Sequence, residues 1–175
     1  IAKKSGNRFV VAEALADFFR DAIVSTGKWD GIFFDRYCNG ITWQETPTET
    51  IDYQRAGYTS LAAFDAAWRV AADTLANRLR RNIGPTPILI GNCGQGLQYG
   101  SMNGWMREDF PNQNGQTWDA NMFRVPGGYM TDEANFRSPQ SNWIATSTTD
   151  AKHPYAPEQV RKARWGLGSA AMGDG

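Results

Sequence analysis

An alternation of two patterns constrains this chain most. Residues 9–25 set Val11, Ala14, Leu15, Phe18, Phe19, Ala22 and Ile23 at helical spacing, and the apolar run "GIFF" (31–34) follows after a short turn. Residues 61–81 set Leu61, Phe64, Trp68, Ala71, Leu75 and Leu79 on one face, and "PILIGN" (87–92) follows in the same way. A strand with one wet face alternates polar and apolar residues, whereas these runs are apolar on both faces, the mark of a parallel strand buried between layers. Parallel neighbours need a long crossover, and the amphipathic stretches supply it. The expected fold is therefore α/β, a parallel sheet covered by helices.

The remaining elements fit this frame. Asn7 is the expected N-cap of the first helix and Gly27 its stop, while Asn82, Gly84 and Pro85 end the second. Residues 39–58, with Pro47, form a long loop. "SMNGWMRED" (101–109) is a third strand and "NWIATST" (142–148) a fourth. "TWDANMF" (117–123) makes one or two helical turns, and 125–141 is an irregular stretch punctuated by Gly and Pro. Pro157 suits the first turn of a helix through "EQVRKARWGLGSAAM", against which Gly166 and Gly168 argue. With no internal repeat and no low-complexity linker, 1–175 is expected to be a single domain.

Composition excludes some functions. Lys plus Arg equals Asp plus Glu at 18 each, so there is no electrostatic grip on nucleic acid or anionic lipid. No apolar run reaches the length of a membrane span. Two cysteines cannot form a disulfide scaffold, and no Cys/His spacing resembles a zinc site, so neither metal nor cofactor is expected. Seven Trp and six Tyr, beside many Asn, Gln and Thr, suit a surface that binds sugars. Ile1 follows no initiator Met, so the chain reads as a processed or truncated product.

Chemistry concentrates at strand ends. Asp35 closes the "GIFF" strand, and ligands in parallel α/β folds meet the C-terminal ends of strands. The alternative is a loop cap or a pair with Arg36. The third strand ends in Glu108 and Asp109; by alternation Gly104, Met106 and Glu108 share one face, and Trp105, Arg107 and Asp109 the other. Two carboxyls at neighbouring rims meet the needs of glycoside hydrolysis, one protonating the leaving oxygen and one attacking or activating water. Rim salt bridges with Arg36 and Arg107 are the competing reading.

The motifs "WDGIFFDRY" (29–37), "GWMREDFP" (104–111) and "KARWGLGSAAMGDG" (162–175) resemble hypothetical glycosyl hydrolase family fifteen, whose fold is a TIM barrel. The resemblance implies that Asp35 ends barrel strand four, "ILIGN" (88–92) is strand five, Glu108 ends strand six, and "NWIAT" (142–146) is strand seven. It implies Asp35 and Glu108 as the catalytic carboxylates. Asp109 departs from the small residue expected after the glutamate. A whole barrel takes about 250 residues, so this chain is expected to cover about strands four to seven, with the remainder of the barrel, or another chain, completing the sheet. A secreted protein acting on a carbohydrate substrate is the expectation.

Trp43 and Trp118 are the expected stacking residues, on loops 39–58 and 112–141 that should lie on the side of Asp35. Arg36 and Asp109 flank the acids and join them as substrate contacts. Asn92 and Asn103, near strand ends, either hydrogen-bond substrate or tie loops together. Glu108, beside Asp109, Met106 and Phe110, is the expected proton donor and the more buried acid; Asp35, if Arg36 reaches it, is the base or nucleophile. Two other functions compete. Trp43, Tyr53, Tyr58, Tyr99, Trp105 and Trp118 suit a barrel that binds sugar without cleaving it. "GNCGQG" partly imitates a nucleophile elbow, with Cys93 as nucleophile and His153 as base, but Gln95 stands where the second glycine belongs. Cys38 and Cys93, past the ends of adjacent strands, are placed for a disulfide or remain two thiols.

Overall fold

The structure, a computed structural model, describes residues 1–93, 98–111, 115–147, 152–153 and 155–173. The chain divides into two compact units. The first takes in Ile1–Ile32 and Tyr37–Pro87; the second takes in Phe33–Arg36, Ile88–Cys93 and Tyr99–Gly175.

Two helices build the first unit. Helix α1 (Val10–Phe18) widens into a π-turn at Phe19–Ile23 and a 3-10 turn at Val24–Thr26, and Gly27, at φ 67°, takes the left-handed turn that stops it. Asn7 is not its cap. Ser5 and Arg8 exchange backbone hydrogen bonds of 2.9 and 3.2 Å, which draw Asn7 into a tight turn two residues before the N-cap, Phe9. Helix α2 (Leu61–Ile83) starts at Ser60, whose side chain accepts from the Ala63 N–H at 3.1 Å. Ala12 and Ala16 of α1 and Ala71, Ala72 and Ala76 of α2 are buried, and such small side chains let helix backbones approach closely. Leu75 and Leu79 are buried too, each contributing about 1.5–3 kcal/mol.

The second unit carries the sheet apart from Gly31 and Ile32, the first two residues of its first strand, which fall in the first unit. Strands β1 (Gly31–Phe34), β2 (Ile88–Asn92), β3 (Gly104–Arg107) and β4 (Trp143–Ile144) lie in the order β1-β2-β3-β4, all parallel. Ile90 pairs with Gly104, and Met106 with Trp143. Only part of the expected two-sided burial is present. Phe33 and Trp143 stack at 5.6 Å and are 40 % and 46 % exposed. They sit on the outermost strands, which a flat sheet would hold about 14 Å apart, so a curled sheet brings them together across its concave face.

Helix α3 (Trp118–Phe123) is the short helix foreseen, capped by Thr117. Helix α4 (Tyr129–Asn135) falls where an irregular stretch was expected. Its cause is tertiary: Asp132 forms a buried ion pair with Arg107, and Tyr129 packs with Phe110 and Met122. Helix α5 (Pro157–Ala170) runs straight through Gly166, which is buried against Thr146 where a Cβ would collide. Among the described residues no helix is long and apolar enough to cross a membrane.

Candidate functional site

Among the described residues, three that are not glycine have positive φ: Arg36 at 53°, Cys93 at 83° and Asp109 at 53°. Each lies just past the C-terminal end of a parallel strand, β1, β2 and β3 in turn. Each directly follows a polar residue singled out from the sequence: Asp35, Asn92 and Glu108. The left-handed region costs a side-chain-bearing residue about 1–3 kcal/mol, and such strain gathers at functional sites. In regular strand geometry the chain would have continued along the sheet; here it turns sharply at all three rims.

At the β1 and β2 rims the side chains interlock. Asp35 Oδ1 accepts from the Arg36 backbone N–H at 2.8 Å and from Asn92 Nδ2 at 3.0 Å, while Asn92 Oδ1 accepts from the Cys93 N–H at 2.6 Å. Asn92 is buried and Asp35 exposed, so a fixed amide positions an accessible carboxylate. Cys38 and Cys93 are both disulfide-bonded. Cys93 therefore offers no thiolate, and the Cys93–His153 hydrolase is ruled out.

The β3 rim contains a bulge. In a regular parallel ladder the N–H and C=O of one residue bridge partners two positions apart. Ala145 instead donates to the Arg107 carbonyl at 2.9 Å and accepts from the Phe110 N–H at 3.1 Å, partners three apart. The extra residue undoes the alternation expected past Arg107, and re-aiming a side chain is what bulges at sheet rims do. Glu108 and Asp109 are both exposed. Burial therefore does not mark Glu108 as the acid, contrary to expectation. Asp109 accepts a hydrogen bond from the Ser147 hydroxyl, whereas Glu108 makes no side-chain hydrogen bond or ion pair among the described residues.

A family model described as hypothetical glycosyl hydrolase family 15 matches residues 7–175, which include all three rims. The chain belongs to that family. No curated protein and no solved structure matches it.

In this member of hypothetical glycosyl hydrolase family 15, the residues expected to touch substrate separate into groups. Arg36 is exposed, and its backbone N–H, not the anticipated guanidinium, is seen holding Asp35. Asp109 and Trp118 both line a cavity of about 580 Å³. Asp35 and Glu108 are not among its lining residues. Trp43 belongs to the first unit, on a 3-10 turn (Thr42–Gln44), 65 % exposed with its indole N–H given to the Gly40 carbonyl at 3.1 Å. Asn103 ties loops together: fully buried at the N-terminal end of β3, it accepts from the Leu89 N–H at 2.9 Å and donates to the Arg137 and Pro139 carbonyls at 3.3 and 3.0 Å. Those last bonds also place the end of the 112–141 stretch away from Asp35, although Trp118 within it lines a cavity with Asp109. A parallel crossover must return to the start of the next strand, so 137–139 lie at the end of β3 opposite Glu108.

Sequence reasoning missed the group beneath this rim. Arg107, buried on β3, is paired with Asp132 rather than with a rim acid, gives a second hydrogen bond to the Gly127 carbonyl at 3.0 Å, and shares Asp132 with the Tyr99 hydroxyl at 2.9 Å. Burial lowers the guanidinium pKa and raises that of the Asp132 carboxyl; burial and then the neighbouring charge of Asp132 push Tyr99 up to about 12. Only the Gly-Pro-rich setting of Asp132 was visible beforehand, and it pointed to a loop. Among the described residues no group of His, Cys, Asp and Glu is arranged to hold a metal ion.

Proposed function

We propose that this protein hydrolyses glycosidic bonds with Asp35 and Glu108 as its carboxylate pair. The observation that carries this reading is the run of three strained turns at adjacent strand ends, which leave Asp35 and Glu108 exposed on either side of the buried Asn92. Strands β1 and β3 flank β2, so their ends are two strand spacings, roughly 9–10 Å, apart. Side chains can shorten that to the range of about 5–9.5 Å in which carboxyl pairs of glycosidases work. Asp35, oriented by Asn92 and the Arg36 N–H, is the base or nucleophile; Glu108, unconstrained by hydrogen bonds and re-aimed by the bulge, delivers the proton. The fold in this reading is a TIM-type barrel in which β1–β4 serve as strands four to seven. The half-exposed Phe33–Trp143 stack on the concave face supports it, as a barrel interior is filled by such layers. A carbohydrate is the partner, and the remainder of the barrel, or another chain, closes the sheet. The disulfide-bonded state of the cysteines supports a secreted protein, because disulfides persist in oxidising compartments.

The test is hydrolysis by the complete protein of a panel of plant, fungal and bacterial glycans. Glu108→Gln and Asp35→Asn should each lower the rate on a cleaved glycan at least about 10²-fold, the scale of a lost general acid or base. Rates equal to wild type in both variants would reject the pair and leave a sugar-binding barrel as the better reading.

A further inference from the structure

Beside the bulge, the cavity of about 580 Å³ is bounded by Asp109, Phe110 and Pro111 past β3, Trp118 of α3, Ser147 past β4, and one face of α5. That size falls within the range of about 300–1,000 Å³ typical of small-ligand sites. The α5 residues are Glu158, Arg161, Lys162 and Trp165, at i, i+3, i+4 and i+7. This is the spacing by which a helix normally presents a stripe to its core. Here the stripe is charged and aromatic, it faces a cavity, and Trp165 is 54 % exposed.

We infer that this cavity is a carbohydrate subsite that seats a neutral pyranose ring outside the cleavage point. The inference rests on the glycosidase reading for the class of its ligand. A pyranose has an apolar C–H face and a rim of hydroxyls, and the lining answers both. Trp165 and Trp118 supply the apolar walls. Trp118 is held in place, since its indole N–H donates to Ser169 Oγ at 2.9 Å and that hydroxyl donates to the Trp165 carbonyl at 2.8 Å. The charged groups supply hydroxyl partners of both kinds, acceptors at Asp109 and Glu158 and donors at Arg161 and Lys162. Two acids balance two bases, so the lining favours a neutral sugar over an acidic one. Glu158, Arg161 and Lys162 form no ion pair among the described residues, which leaves their polar atoms open to a ligand. Asp109 joins the subsite to the proposed acid directly, as the residue after Glu108 on the bulge.

The experiment titrates the Glu108→Gln protein, chosen because its turnover is expected to be at least about 10²-fold slower, by calorimetry with cellohexaose, xylohexaose, mannohexaose, maltohexaose and chitohexaose, and with hexagalacturonate as the acidic comparison. At least one neutral hexasaccharide should bind; adding Trp165→Ala should weaken it at least about 10-fold, and Trp165→Phe should restore most of the loss. Because Trp165 is half exposed, its replacement leaves the packing intact, which circular dichroism checks. Undiminished binding by the Trp165→Ala protein, binding of hexagalacturonate alone, or no binding of any hexasaccharide at millimolar concentration would each overturn the inference. The two readings separate cleanly. Cleavage of a glycan by wild type with binding indifferent to Trp165 keeps the hydrolase and removes the subsite. Trp165-dependent binding with no turnover of any glycan keeps the subsite and removes the hydrolase.

Discussion

Both units use an arginine–aspartate pair to tie one element to another, but in opposite surroundings. In the first unit Arg78 of α2 reaches Asp17 of α1 at 2.8 and 3.1 Å and Glu13 at 3.4 Å, and all three side chains are partly open to water. In the second, Arg107 of β3 meets Asp132 of α4 with both side chains about 5 % exposed or less. Water screens the first pair, so the helix contact rests on its alanines and leucines. The second pair has given up its hydration, and each charge now depends on the other. The same chemistry is an accessory at a helical surface and a structural requirement beneath the strand rim.

The largest effect should come from Asp132→Ala. It strands the Arg107 guanidinium in the interior and should cost about 3–5 kcal/mol in urea unfolding, whereas the double replacement Arg107→Met, Asp132→Leu should recover most of that. A loss below about 1 kcal/mol for the single variant would erase the contrast between the units. Asn103→Ala comes next, at about 1–3 kcal/mol, because it leaves the Leu89 N–H and two carbonyls without their buried partner. It should leave kcat/KM on a cleaved glycan unchanged at a temperature where the variant is folded, as befits a residue at the far end of β3. Ser60→Ala, removing the α2 cap in the first unit, should cost about 1 kcal/mol by thermal melting.

Arg78→Met should have the smallest effect at neutral pH, and its signature lies in acid. The Arg78 hydrogen bond holds the Asp17 pKa below its ordinary value of 3.8, and the Arg8 hydrogen bond does the same for Glu13, ordinarily 4.5. A depressed carboxyl stabilises the fold above its unfolded pKa and loses that contribution as pH falls through the folded one. Stability measured from about pH 5 down to pH 2 should therefore fall less steeply in Arg78→Met than in wild type. Asp132 has the opposite sign, because burial raises its pKa: its linkage contribution is complete below the unfolded value and is lost as pH rises through the folded one. Parallel acid profiles for wild type and Arg78→Met would show that the surface tie contributes nothing measurable.

Much of this molecule is determined locally. Helical spacing in 9–25 and 61–81, apolar runs at 31–34 and 88–92, and Pro157 at the start of α5 each specify an element through short-range sterics and periodicity, and each forms close to its expected place. Asp35 and Asn92 were equally legible, because a carboxylate or amide directly after an apolar run stands out, whereas Glu108 follows Arg107 and was found through the strand pattern of 101–109. What the tertiary structure alone decided has a common physical reason: it depends on partners distant in sequence. Helix α4 forms on an ion pair between residues 25 apart. Asn103 is committed to loop ties by acceptors 34 and 36 residues away. The bulge at Glu108–Asp109 exists only against Ala145, and it overrides the simple alternation from which the facing of the two acids was read. Periodicity reports which side of an element is apolar; it carries no information about which remote group will meet a given side chain, and at this rim those meetings set the chemistry.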